Sequence, residues 1–218
     1  MTGRTREPRD PQSSDDRLRE TVVGSRTVHR GFYLEVRVDD VLTPGGRRAT
    51  RDIVGHPGAV AIVALDPDGR VLMVRQFRLA AGRTLLEIPA GTLNRGADGS
   101  LEDPDVAARR ELEEETGFRA RTWQALGSFW TAPGFATELM HLYLARDLVP
   151  AHEDRLAPDA DEHLELEQIP WRVAVAMAEG GEIADAKSIV GLFRLARMLD
   201  APAASGETPL VSPTVAAG

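Results

Sequence analysis

The chain contains no cysteine. Disulfides, thiolate nucleophiles, cysteine-ligated zinc and iron–sulfur clusters are excluded by composition alone. It is also short of positive charge, with 26 Lys and Arg against 34 Asp and Glu and a formal net charge of −8. Nucleic-acid binding depends on neutralising phosphates with Lys and Arg, so no nucleic-acid partner is expected. An acidic surface also repels small phosphorylated ligands, and an enzyme acting on one needs a divalent cation or a local basic cluster to attract it. Long hydrophobic runs are missing too. The longest, Ala59 to Leu65, is far short of the ~20 residues of a membrane span. The first 20 residues are rich in Arg, Asp and Ser, without the apolar stretch of a leader. A cytoplasmic protein with no membrane partner is the expectation.

What is present is globular in character: 218 residues, 42% hydrophobic and 28% charged, suit one ordinary domain with tails. Residues 1–16 and 201–218 combine charge or Ala, Pro, Ser, Thr and Gly without apolar periodicity, and disordered tails are expected there. Residues 17–55 read as an N-terminal strand region able to dimerise, with a strand over Gly31 to Val41 where apolar and polar residues alternate. Residues 56–200 read as the main domain. There AVAIVALD and RVLMVRQF flank Asp66-Pro67-Asp68-Gly69, a turn in which Pro presets φ and Gly accepts a positive one. Further strands are expected at Thr84 to Ile88, Thr122 to Trp130, Leu139 to Ala145 and His163 to Ile169. Helices are expected at Pro104 to Thr116, Trp171 to Glu179 and Ala186 to Leu199. Strands outnumbering helices in mixed order indicate an α+β layered fold around a central sheet.

The helix in EDPDVAARRELEEETGF has both ends marked: Asp103 can cap, Pro104 suits the first turn, and Gly117 suits the residue past the end. At about 100° per residue, Glu111, Glu114 and Glu115 fall in one arc. Glu111 and Glu115 lie beside Ala107, Ala108 and Leu112, whereas Arg109 and Glu113 point the other way. Like charges held this close oppose folding unless a cation neutralises them. Hard oxygen ligands without a His pair or Cys favour Mg²⁺, with Mn²⁺ as the alternative, over zinc.

These residues resemble the Nudix box, G-x5-E-x7-R-E-U-x-E-E-x-G-U, with U an aliphatic or aromatic residue. Gly96, Glu102, Arg110, Glu111, Leu112, Glu114, Glu115, Gly117 and Phe118 match its constrained positions. In many members the first Gly follows a Pro-Ala pair, as Gly91 does here in EIPAG. Either Gly96 fills the position, or Gly91 does and TLNRGADGSL carries an insertion, which is the preferred reading. The resemblance implies a Nudix-type α/β/α sandwich with a mixed central sheet and an N-terminal β-strand extension. It also implies metal ligation by Glu111, Glu115 and the Ala90 carbonyl, with help from Glu114, while Arg110 orients the acids.

From Arg30 to Leu199 the chain looks like the ADP-ribose pyrophosphatase branch, whose marker Pro, about sixteen residues after the box, is matched by Pro133 in TAPGFATE. Arg51 and Arg78 look like substrate phosphate and ribose contacts, Glu87 like a sugar- or adenine-binding acid, and Glu138 like a loop acid near the scissile group. An Arg fork binds phosphate oxygens bidentately. In relatives the first strands cross to a second subunit, where Phe32 or Tyr33 would stack on the adenine. That implies a homodimer; packing of these aromatics in the core is the other reading. The base is expected from the acidic loop APDADEHLELEQIPW, with Glu162 first and Glu165 second. The expected reaction is Mg²⁺-dependent conversion of ADP-ribose to AMP and ribose 5-phosphate. The alternatives are GDP-mannose, NADH or another nucleotide sugar as substrate, or a non-catalytic ligand sensor on the same fold.

Overall fold

The structure is a computed structural model that describes residues 17–151, 156 and 163–201. The expected tails at 1–16 and 201–218, apart from Ala201, and Glu162 lie outside the described residues. Contacts divide the chain into two compact units, Met1–His56 with Ala132–Thr137, and Pro57–Thr131 with Glu138–Gly218.

The first unit holds β1 (Thr21–Arg30), β2 (Glu35–Leu42) and β3 (Arg48–Gly55) as an antiparallel sheet in that order. The strand expected from Gly31 starts only at Glu35. Residues 31–34 must reverse the chain between β1 and β2, and Gly31 N–H closes that turn on the Leu34 carbonyl at 2.8 Å. Within the strand region expected over 17–55, β1 and β3 were not placed individually; β1 is exposed along almost its whole length and offers no alternation to detect. The segment Ala132–Thr137 docks on β3: Val54 N–H donates to the Phe135 carbonyl at 2.7 Å, and Thr137 N–H to the Val54 carbonyl at 3.0 Å.

The second unit is built on β4 (Ala59–Leu65), whose seven residues are all buried. Such a run, apolar on both faces, marks a strand covered on both sides. It is paired in parallel with β9 (Leu139–Pro150) and antiparallel with β5 (Arg70–Arg78) and β7 (Ala90–Thr92). β10 (Glu165–Pro170) and β6 (Arg83–Glu87) add to β5, and β8 (Phe118–Trp130) adds to β9. The β4–β5 hairpin closes as expected, with Gly69 at φ 75° and Arg70 N–H donating to Asp66 Oδ1 at 2.7 Å.

Successive residues of β4 serve opposite layers. Ala61, Val63 and Leu65 pack with Ala174 and Ala178 of α2 (Trp171–Gly180) and Leu192 and Leu195 of α3 (Ala186–Asp200). Val60, Ile62 and Ala64 pack with Ala107, Ala108 and Leu112 of α1 (Pro104–Thr116). Each buried Val, Ile or Leu contributes about 1.5–3 kcal/mol, so both helix layers are held by the same strand. This is an α/β/α sandwich with a mixed sheet. Helix α1 starts where expected, Asp103 accepting from Asp105 N–H at 2.8 Å, and it ends on Gly117 at φ 72°. Among the described residues no helix is long and apolar enough to cross a membrane.

Candidate functional site

Helix α1 packs through Ala107, Ala108 and Leu112, and that rotation directs its acids at the strand β7. Glu111 and Glu115 are only 8% and 7% exposed. Glu115 Oε2 accepts the Ala90 N–H at 3.0 Å. The Glu111 carboxylate lies where a side chain on Gly91 would be, since a Cβ there would come 1.9 Å from Glu111 Cδ. Two acids one turn apart thus converge on the backbone of Ala90 and Gly91. Glu113, on the other side of the helix, is buried as well; its carboxylate takes two hydrogen bonds of 2.7 Å from Arg119, which accounts for its burial without a ligand.

Arg110 sits at the centre of the remaining charge. Its Nη1 donates to Glu111 Oε1 and to Glu114 Oε2, each at 2.7 Å, while Nε and Nη2 grip Glu102 at 3.1 and 2.9 Å. Burial opposes the charge on Arg110, yet the bonds to Glu102, Glu111 and Glu114 outweigh it and hold the guanidinium firmly protonated. The same contact with Arg110 keeps Glu102 below the usual carboxylate range. An exposed ion pair contributes little, but this bidentate, partly buried network orients two of the three helix acids.

Among the described residues no three His, Asp or Glu form a ready-made metal cage. Arg110 Nη1 bridges Glu111 and Glu114, and Glu115 accepts the Ala90 N–H. The donor set nevertheless fits a hard cation. It offers oxygen donors only, and Gly91 leaves a cradle, free of any Cβ, in which the Glu111 carboxylate rests. A divalent cation would be held by Glu111, Glu114, Glu115 and the Ala90 carbonyl.

The segment between Gly91 and Glu102 folds onto itself. Gly96 N–H donates to the Ser100 carbonyl at 2.9 Å, Glu102 N–H to the Asn94 carbonyl at 2.9 Å, and Asn94 N–H to Glu102 Oε2 at 3.1 Å. A Cβ on Gly96 would meet only Asp98 and Ser100 of the same loop. The glycine that the acidic helix requires is therefore Gly91, and the extra residues form a self-contained hairpin that leaves the helix acids in place.

The other sequence-derived candidates are distributed more widely. Arg78 forks onto Glu87, with Nε to Oε1 at 3.0 Å and Nη2 to Oε2 at 2.7 Å. Glu87 is 1% exposed and also carries Lys187, so the acid expected to touch a sugar or adenine is enclosed by two cations instead. Glu138 accepts from Thr131 Oγ1 at 2.6 Å at the base of its loop. In the first unit, Arg51 is paired with Glu20, Pro133 is exposed, and Phe32 is wholly exposed. Core packing is ruled out for Phe32, whereas Tyr33 sets its ring edge-on to His56 with centroids 5.7 Å apart. Glu165 opens β10 in register with Arg75. Lys187 and Asp185 went unnoticed in the sequence. The signal was available, because Lys187 is the sole lysine in a chain that otherwise uses arginine for every cationic side chain.

Comparison with known proteins agrees with this geometry. The NUDIX domain profile matches residues 55–190, and the profile described as nucleoside diphosphate sugar hydrolase N-terminal domain matches residues 20–54. An ADP-ribose pyrophosphatase of Bacillus subtilis is 40% identical over 171 residues, covering 78% of this chain and 89% of the relative. A methanol dehydrogenase activator of Bacillus methanolicus is 38% identical over 173 residues, covering 79% and 90%. A crystal structure titled ADP compounds hydrolase superposes with TM-score 0.71 at 26% identity, covering 83% of this chain and 94% of that one. With the box acids gathered on Ala90 and Gly91 and a family match over most of its length, the chain belongs to the Nudix family and is a Nudix pyrophosphohydrolase.

Proposed function

We infer that the protein hydrolyses the pyrophosphate bond of a nucleoside diphosphate derivative with Mg²⁺, its substrate being ADP-ribose and its products AMP and ribose 5-phosphate. The observation that carries this reading is the convergence of Glu111 and Glu115 on Ala90 and Gly91, with Arg110 orienting Glu111 and Glu114. The similarity to proteins named for ADP-ribose and ADP compounds supports the substrate.

A phosphoanhydride resists attack because its anionic oxygens repel nucleophiles. Bound at the helix acids, Mg²⁺ would neutralise that charge and acidify the attacking water. The residues of the chain do the rest. Arg78 offers N–H donors to phosphate or ribose oxygens, and Glu162 is the proposed base that takes the water proton. The water oxygen bonds to one phosphorus while the bridging P–O bond breaks, and the bridging oxygen leaves with the other phosphate.

The test is a panel of ADP-ribose, GDP-mannose and NADH with Mg²⁺ and product identification. ADP-ribose should have the highest kcat/KM and yield AMP; a clear preference for another member would refute the substrate assignment. In the same assay Glu162→Gln should lose about 10²-fold or more in kcat, the usual contribution of a general base. Retention of kcat within a few-fold would remove Glu162 from that role.

A homodimer is proposed as well, through the first unit, where Val22, Val23 and Val28 of β1 and Phe32 at its turn are exposed and free to meet a second copy. Sedimentation equilibrium should give twice the chain mass. A fully active monomer would exclude a shared site.

A further inference from the structure

Four side chains beside the acidic site form a continuous ionic relay. Arg78 gives two of its five N–H groups to the buried carboxylate of Glu87. Lys187 also donates to Glu87, on the same Oε2 that Arg78 Nη2 holds, and to Asp185 Oδ2 at 2.9 Å. Asp185 is in turn the N-cap of α3, accepting Ser188 N–H at 3.1 Å. Ser188 Oγ receives the Ile88 N–H at 2.8 Å, so adjacent residues of α3 grip adjacent residues of the segment that runs on to Ala90. Helix and sheet can approach this closely because residue 191 is glycine; a Cβ there would stand 2.9 Å from both Ile88 and Val63.

The charges grade from enclosed to accessible. The Glu87 side chain is 2% exposed and that of Lys187 14%, whereas that of Arg78 is 39% exposed. Arg78 bonds both Glu87 oxygens, yet an enclosed carboxylate, with about four acceptor sites, can take further donors. Lys187 supplies the second partner. Without it, Glu87 could turn to recover hydrogen bonds and would carry the Arg78 fork with it. The residue type is informative, because all 25 other Lys and Arg positions hold arginine. Glu87 is already taken bidentately by one planar guanidinium, and the space left between Glu87 and Asp185 suits a compact ammonium with tetrahedral donors.

We propose that Lys187 is a positioning residue for Arg78, acting through the buried carboxylate of Glu87 to hold the guanidinium in its substrate-facing orientation. The proposal rests on the reading of Arg78 as a contact to the nucleoside diphosphate derivative.

The experiment is a double-mutant cycle of Arg78→Met and Lys187→Met, with kcat and KM measured separately under saturating Mg²⁺ and folding followed by thermal melting. Lys187→Met should raise KM about tenfold, on the scale seen when an outer partner that orients a metal ligand is lost, with kcat within about threefold. Adding it to Arg78→Met should change KM less than about twofold, since residues acting through one contact are not additive. Glu87→Gln gives the same comparison if Lys187→Met does not fold. Independent, multiplying effects would overturn the proposal. So would an unchanged KM with kcat falling in step with the folded fraction, the pattern of a purely structural lysine. If wild type prefers another panel member over ADP-ribose, only the substrate reading fails and the cycle is run on that compound. No turnover of any member would sink both.

Discussion

Glu115→Gln should abolish most turnover while leaving the protein folded. The substitution is isosteric, and the glutamine carbonyl can still accept the Ala90 N–H that Glu115 accepts at 3.0 Å. Packing around a side chain only 7% exposed is retained, and one buried like charge is removed from beside Glu111. Stability is therefore expected to hold or rise slightly. Catalysis is affected differently, because a neutral amide is a poor ligand for a hard divalent cation. We expect kcat to fall by at least about 10²-fold, the scale of losing one preorganised group that stabilises transition-state charge. Wild-type turnover in excess chelator should be negligible for the same reason. Activity within about threefold of wild type in either experiment would falsify the metal mechanism.

Gly91→Ala should have an effect of similar size through a different cause. The new methyl would stand 1.9 Å from Glu111 Cδ, so the carboxylate must swing away and abandon the 2.7 Å bond from Arg110 Nη1. The obstructed atoms belong to the end of a flexible side chain, and overpacking of this kind costs about 1–3 kcal/mol. The variant should fold with a modestly lowered Tm yet lose Mg²⁺-dependent kcat by about 10²-fold, as expected when a ligand is displaced by an ångström or more. Gly96→Ala is the control, since its methyl would meet only Asp98 and Ser100 of its own hairpin. If Gly96→Ala proved the more damaging of the two for activity, the roles assigned to these glycines would be reversed.

Both predictions concern residues visible in the sequence, but visibility was uneven. The acidic helix was legible to its last residue because Asp103, Pro104 and Gly117 are local signals, acting on backbone within a turn of themselves. The β4–β5 hairpin was legible for the same reason. Strand β1 was not, because its pairing with β2 supplies hydrogen bonds without burying a face. The strand expected from Gly31 was placed four residues early, since alternation of side chains does not reveal where a chain must reverse.

The site divides along the same line. Nearness of Glu111, Glu114 and Glu115 follows from helical spacing, so one dimension of sequence was enough to gather them and to draw Arg110 into their company. That Glu87 would be enclosed rather than open to a ligand, and that the lone lysine would reach it, depends on residues 100 positions apart meeting across the sandwich. Periodicity reports only on neighbours along one element. Contacts between layers are decided by how helices pack on the sheet, here by α3 settling against β4 and the Ile88 segment at a glycine. The sequence by itself determined the capping of the acidic helix and the spacing of its glutamates; the tertiary structure decided which layers enclose them and which cation stands behind which acid, because burying a charge unpaired is costly.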